Sequence, residues 1–327
     1  MSNSHEHDVH IVTRDGVVVQ LLTTASDLAD ALQILDDAER RAGLPLVDAS
    51  ERVRLERAVA HDGELDVHHH AVLARTQGAC VGYAGLVIAE GDVHGVGDVA
   101  IPPNQECGPE VLRALLDAVD EVARRHHAHG TQLWIRQAAA SDLAVAVAAG
   151  HAVHRRLAVL GRRTTTADKV ALLRSDGVTV RAANATDDDA VVAVLAAAYD
   201  GSPNAGWDAA RFAQATDNDW FRHADLLVAE DASGVLGVHW TKRRSPTTGE
   251  VHNLAVHPKA SGRGLGRMLL DAGLHHLAAT GCEDVLLWVD LANEAALRLY
   301  VTAGFEQRWE DVALLRHARH VPTHPHA

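Results

Sequence analysis

Cysteine is scarce in this chain. Its three residues, Cys80, Cys107 and Cys282, are odd in number, and their spacing suits neither a disulfide framework nor a zinc site. That predicts a reducing compartment, the cytoplasm. Long apolar runs are missing too. No stretch approaches the roughly 18 uninterrupted apolar residues of a membrane-spanning helix, so no membrane span is expected. Residues 1–10 are polar and histidine-rich, without the apolar centre of a secretory signal, and predict a mobile tail. Basic charge is in deficit, with 30 Lys+Arg against 44 Asp+Glu and a net charge of −14. This argues against nucleic acid or an anionic membrane as a general partner. It leaves room for a local basic pocket around a phosphorylated small molecule. Despite 23 histidines, no helix carries a His-x-x-x-His pair with a carboxylate, so no metal site is expected.

What the chain does have is apolar residues in ordered patterns. With 327 residues, 47% of them hydrophobic, it has the length of two ordinary domains. In the first half the spacing predicts a strand over 17–22 and a helix over 27–41 with Ser26 as N-cap. A helix over 50–60 follows, then strands over 71–76, 80–89 and 96–101. After the break at Pro102-Pro103-Asn104 come a helix over 110–126, a strand over 132–136, a helix over 141–149 and a strand over 152–162. Residues 163–177 read as a linker, with some order at Val170–Leu173. The same order then restarts: strand 178–181, helices 187–199 and 208–216, strands 226–230, 234–242 and 250–256, a helix from Leu265, strand 285–289, helix 293–303 and strand 305–315.

The restart is visible in the residues themselves. At an offset of 154 positions, Arg267-Met268-Leu269-Leu270-Asp271-Ala272 falls on Arg113-Ala114-Leu115-Leu116-Asp117-Ala118, and Leu287-Trp288 falls on Leu133-Trp134. Ala303-Gly304 falls on Ala149-Gly150, Leu314 on Leu160 and Arg316 on Arg162. This is a tandem duplication of one α/β unit with a mixed sheet, with domains expected over 11–165 and 170–320. The chain is expected to be a monomer with an intrachain domain pair.

Between strand 250–256 and the next helix lies His257-Pro258-Lys259-Ala260-Ser261-Gly262-Arg263-Gly264-Leu265-Gly266-Arg267. Strand, glycine-rich loop and helix form an anion-binding arrangement. Glycines let backbone N–H groups turn inward and let a phosphate come close. The helix N-terminus adds partial positive charge, and Arg263 and Arg267 add full charges. A tight turn without a ligand is the plainer alternative, but it has no use for three glycines. The first copy has Glu110 where the second has Gly264, Leu112 for Gly266, Ala139 for Asn293 and Ala146 for Tyr300. Shared residues are mostly packing residues and second-copy residues are chemical, so the second domain is expected to work and the first to support it.

These elements and motifs resemble the GCN5-related N-acetyltransferase (GNAT) superfamily. Its cofactor loop reads Gln/Arg-x-x-Gly-x-Gly/Ala; here it is Ser261-Gly262-Arg263-Gly264-Leu265-Gly266, with Ser261 in place of Gln or Arg. The stretch Asn293-x-x-Ala296-x-x-x-Tyr300-x-x-x-Gly304-Phe305 matches its second motif. The resemblance implies two tandem GNAT domains and acetyl-CoA as acetyl donor. It places the donor on the strand edge Leu254, Ala255 and Val256, on Ser261 to Arg267, and on Asn293, Glu294, Ala295, Ala296, Leu297 and Arg298. It makes Glu250 the base that takes the amine proton and Tyr300 the acid facing the departing thiolate.

The sequence is further similar, over roughly 225–316, to tandem family members that acetylate a small-molecule amine. That amine is the cysteinyl group of 1D-myo-inositol 2-(L-cysteinylamino)-2-deoxy-α-D-glucopyranoside. On that likeness Lys242, Glu250 and Trp288 border the acceptor, and Glu51 of the first domain reaches it. Lys242 is one of only three lysines. Where those members have an acidic stretch, this chain has Ser202-Pro203-Asn204-Ala205-Gly206. Acetylation of another small-molecule or protein amine, and a non-catalytic acetyl-CoA sensor, stay open as alternatives.

Overall fold

The computed structural model describes residues 10–61, 63–89, 93–103, 108–165, 168, 174–175, 177–218 and 220–317. The tail at 1–9, Asn104, Cys107 and the expected order at Val170–Leu173 lie outside them. Two compact units make up the chain. The first comprises Met1–Leu157 together with Trp309–Ala327, and the second Ala158–Arg308.

The first unit contains β1 (His10–Arg14), β2 (Val17–Leu21), α1 (Ala25–Ala42), α2 (Ala49–Ala60), β3 (His69–Thr76), β4 (Ala79–Val87), β5 (Gly95–Ala100), α3 (Gly108–Arg125), β6 (Gly130–Ile135) and α4 (Ala140–Ala148). It also holds the first half of β7 (Ala152–Arg163) and the end of β14 (Glu306–His317). The strand β1 was not foreseen; it pairs antiparallel with β2. Helix α1 is capped two residues earlier than expected. Thr24, not Ser26, accepts the Asp27 N–H at 3.1 Å and donates to the Asp27 carboxylate at 2.8 Å, satisfying one of the orphan donors of a helix start. The sheet runs β1-β2-β3-β4-β5-β6-β14, with β5 and β6 parallel. Helices α3 and α4 cover one face through Val111, Leu115, Leu116 and Ala146. Helices α1 and α2 cover the other through Leu28, Leu35 and Leu55.

The second unit repeats this plan. It contains β8 (Arg174–Ser175), β9 (Val178–Ala182), α5 (Asp188–Tyr199), α6 (Ala209–Thr216), β10 (Leu226–Asp231), β11 (Gly234–Arg243), β12 (Thr248–Val256), α7 (Leu265–Ala279), β13 (Asp284–Asp290) and α8 (Glu294–Thr302). The counterparts α4 and α8 are separated by the same 154 positions at both ends, as are β7 and β14. The compact units nevertheless differ from the ranges expected from the repeat, because the closing strands trade places. Residues 312–317 of β14 pair with β6, and Leu314 lies in the first unit's core. Residues Ala158 and Leu160 of β7 lie in the second unit's core. The two strands came from one ancestor and carry Leu160/Leu314 and Arg162/Arg316 at equivalent places, so each fits either sheet. Exchange of an equivalent element is a low-cost rearrangement.

One buried group ties the second unit's stability to pH. His239 on β11 is fully buried, with Nδ1 2.7 Å from the Leu269 carbonyl. It lies so close to α7 that a Cβ at Gly273 would come 2.0 Å from its ring. Burial pushes its pKa down to about 4 from the usual 6.5, more than the Leu269 carbonyl raises it. The unfolded imidazole takes up a proton near 6.5 and the folded one only near 4. Folding stability is therefore whole above 6.5 and falls as pH drops between 6.5 and 4, by up to about 3 kcal/mol. Urea unfolding at pH 7.5 and at pH 4.5, run on wild type and His239→Gln, checks this. Wild type is expected to lose more over that interval, and equal losses would remove His239 as the source.

Candidate active site

The site grows out of a defect in the second unit's sheet. Strands β12 and β13 are parallel neighbours, but their pairing runs only from Thr248↔Asp284 to Val251↔Leu287. Beyond that point β12 continues to Val256 and β13 to Asp290. The β13-facing edge of Leu254, Ala255 and Val256 therefore has no partner strand in that register, and an extended amide-bearing chain can add there as a strand would.

At the end of that edge sits the glycine loop. Gly262 and Gly264 have φ of 79° and 76°, a left-handed conformation that costs any residue with a Cβ. A Cβ at either would meet nothing within 4 Å, so the backbone and not crowding calls for glycine. Gly264 is the N-cap of α7 and offers no side-chain cap. The first N–H groups of the helix are thus open to an anion, which is what a phosphate site needs. Ser261 is exposed beside them. Both flanking arginines have carboxylate partners: Arg263 with Asp231 at 3.1 Å, and Arg267 with Asp271 at 2.8 Å. Their charge is partly spent, contrary to the simple sum of the sequence. On the next helix Asn293 is the N-cap of α8, accepting the Ala296 N–H at 3.1 Å. Glu294 and Arg298 form an exposed i,i+4 pair, and Ala295 is exposed while Ala296 and Leu297 are half-buried.

Two phenols lie at the opening between the strands. Tyr300, on α8, is 7% exposed, with its ring 5.8 Å from Phe305 in an edge contact. Burial pushes its pKa well up, and the neighbouring Tyr199 adds to the shift. Tyr199, at the end of α5, donates to Asn253 Oδ1 at 3.2 Å. Burial raises its pKa to about 12 despite the opposing backbone hydrogen bond with Leu254. The sequence reading missed Tyr199, since nothing local marks a helix-ending tyrosine as different from a packing one.

Beyond them is a charged and aromatic corner. Glu250 is 5% exposed. Its Oε2 accepts from Arg244 Nε at 2.6 Å, and its Oε1 lies 2.9 Å from His252 Nδ1. Burial alone would raise its pKa, but the His252 hydrogen bond and the charges of Arg244, His252 and Lys242 outweigh it, holding the carboxyl near 2. Lys242 pairs across the strands with Glu250 and places Nζ 4.3 Å from the Trp220 ring centroid. The Arg244 guanidinium lies 4.5 Å over Trp288. Lys242, Glu250 and Trp288 are thus brought together as expected, and Arg244, Trp220 and His252 join them unforeseen. Glu51 belongs to the first unit. It is buried there, held by His69 at 2.8 Å, by Arg54 at 3.1 Å and by the Tyr83 hydroxyl.

The first unit has a cavity of about 340 Å³ at the equivalent place, lined by Leu46, Pro102, Leu112, Ile135, Gln137 and Ala139. Leu112 and Ala139 stand for Gly266 and Asn293, so the hollow persists without the loop glycine and the asparagine.

Strand splay, glycine loop and paired helices define an acetyltransferase of the GNAT fold. The profile of the Acetyltransferase (GNAT) family matches residues 189–305. A GCN5-related N-acetyltransferase from Sphaerobacter thermophilus superposes with a TM-score of 0.66 at 18% identity, over 94% of this chain and 97% of that one. A tandem GNAT protein from the clavulanic acid biosynthesis pathway superposes with a TM-score of 0.63 at 14% identity, over 91% and 98%. Closer in sequence are the mycothiol acetyltransferases of Nocardia farcinica and Amycolatopsis mediterranei. Both are 35% identical, the first over 79% of this chain and 86% of its own length, the second over 86% and 94%. The chain belongs to the mycothiol acetyltransferase family. GNAT acetyltransferases use acetyl-CoA as donor. Among the described residues no helix is long and apolar enough to cross a membrane.

Proposed function

We propose that the second unit transfers the acetyl group of acetyl-CoA to the cysteinyl amine of 1D-myo-inositol 2-(L-cysteinylamino)-2-deoxy-α-D-glucopyranoside, giving mycothiol and CoA in the cytoplasm. The observation that carries this is the 33–36% identity, over most of the chain, to relatives named mycothiol acetyltransferase. Acetyl-CoA supplies an activated thioester. The N–H groups from Ser261 to Arg267 hold its pyrophosphate, the free edge at Leu254–Val256 pairs with its pantetheine amides, and the α8 start from Asn293 to Arg298 flanks it. Tyr300 donates a hydrogen bond where thiolate charge develops. With its pKa raised, the phenol keeps its proton at neutral pH and works as a dipole aimed at sulfur, not as a free acid. Glu250 is the anionic centre that handles the amine proton, and Lys242 and Trp288 border the acceptor. The first unit, with Glu110, Ala139 and Ala146 in place of Gly264, Asn293 and Tyr300, supports without catalysing.

The test is direct. Purified protein is given acetyl-CoA and the cysteinyl pseudodisaccharide, and the N-acetylated product is followed by mass spectrometry. Turnover on this acceptor is expected. Turnover only on an aminoglycoside or a peptide amine would overturn the acceptor while leaving the acetyltransferase.

A further inference from the structure

Glu250 presents a chemical difficulty that its neighbour resolves. A carboxylate held near 2 by Arg244 and His252 is a weak base toward an amine, and both its oxygens already accept hydrogen bonds. His252 is better placed to take a proton. It occupies a β-bulge: β11 and β12 pair Thr241↔Val251 and then Trp240↔Asn253, so His252 has no partner across the ladder. Glu250 and His252 stand two positions apart on one strand, so alternation puts both on one face. The bulge adds Asn253 to that face: Val251 packs with α7, whereas Asn253 meets Tyr199 of α5 and Ala255 joins the core under α5 and α6. The ring is fixed edge-on between Trp240, at 5.2 Å, and Trp220, at 5.3 Å. Its Nδ1 is tied to Glu250, its side chain is 30% exposed, and among the described residues Nε2 has no hydrogen-bond partner.

We infer that His252 Nε2 is the atom that takes the proton from the acceptor amine, and that Glu250 is a positioning residue, holding the imidazole as the Nδ1–H tautomer. This rests on the acetyl-transfer reading above. The neutral amine's lone pair forms the C–N bond to the acetyl carbon and the C–S bond breaks. The nitrogen's surplus proton passes to Nε2. The CoA thiolate leaves against the Tyr300 hydroxyl and takes a proton from water, and the imidazolium returns one to water. A carboxylate behind an imidazole fixes its tautomer and stabilises the cation that forms.

The charged and titratable groups around His252 are Glu250 on its own strand, Lys242 and Arg244 beside it, Tyr199 at the end of α5, and His223 beyond Phe221. Two measurements decide the matter. In the unliganded protein, ¹⁵N spectra of labelled histidine are expected to show His252 protonated on Nδ1 when neutral; the Nε2–H form would overturn the inference. In steady-state assays, His252→Gln is expected to lower kcat by about 10²–10⁴-fold, the usual worth of a positioned base, with the KM for acetyl-CoA unmoved and the acid limb of the kcat–pH profile gone. Retention of wild-type kcat and its acid limb in His252→Gln, with Glu250→Gln inactive, would make Glu250 the direct base and end the proposal. If wild type turns over no pseudodisaccharide, the acceptor reading fails, while the tautomer still tests His252.

Discussion

Tyr300→Phe is expected to lower kcat by about 10²–10³-fold, the cost of removing one preorganised donor from a developing anion, while the KM for acetyl-CoA barely moves. The change deletes one oxygen. The ring keeps its edge contact with Phe305 and its place in the core with Leu287 and Ala303, so folding is little affected. Steady-state kinetics with both substrates varied separates the outcomes. Equal loss in kcat and kcat/KM with unchanged CoA binding marks an interaction made only in the transition state. A variant with wild-type kcat would make Tyr300 a packing residue and shift attention to Tyr199. A non-catalytic sensor would show no turnover to lose.

Gly264→Val is expected to weaken acetyl-CoA binding by about 10²-fold, measured by calorimetry and as a raised KM. Two costs add. A side chain at φ 76° carries roughly 1–2 kcal/mol of strain, more for a β-branched residue. Relief of that strain turns the α7 N–H groups away from the phosphate, and each hydrogen bond to a charged group is worth about 1.5–3 kcal/mol. Leu112→Val, at the place in the first unit that corresponds to Gly266, serves as the control. It changes a buried leucine and is expected to leave acetyl-CoA affinity at the catalytic unit unchanged. Equal affinity in wild type and Gly264→Val would remove the loop from the donor site. Together the two variants divide the site, one acting through kcat and the other through binding.

Much of the architecture was legible because it rests on local or repeated signals. Apolar periodicity located the helices and the longer strands within a residue or two, since helix and strand faces are set by neighbours a few positions away. The offset of 154 exposed the duplication, and the contrast of Glu110 with Gly264 and Ala146 with Tyr300 marked one copy as chemical without reference to any other protein. The loop was legible because left-handed backbone leaves its trace in composition: glycine. Less legible were details decided at a distance. Thr24 outcompeted Ser26 as cap through its reciprocal bond with Asp27. Asn293 reads equally well as a helix cap and as a donor contact, and it caps α8. Glu51 matched an acidic position, and its contacts with His69, Tyr83 and Arg54 come only with the fold.

By itself, then, the sequence determined the duplicated α/β plan, the order of elements and the unit that carries the chemistry, because periodicity, glycine placement and repeat identity are properties of the chain read along its length. Only the tertiary structure decided four things. These are the exchange of β7 and β14 between the units, the parting of β12 from β13 after Val251, the bulge that leaves His252 without a partner across the ladder, and the approach of Tyr199 to Tyr300. Each depends on strand register or on burial. Register and burial arise between residues far apart in the chain, where the free energy of pairing and desolvation, and not local propensity, selects the outcome.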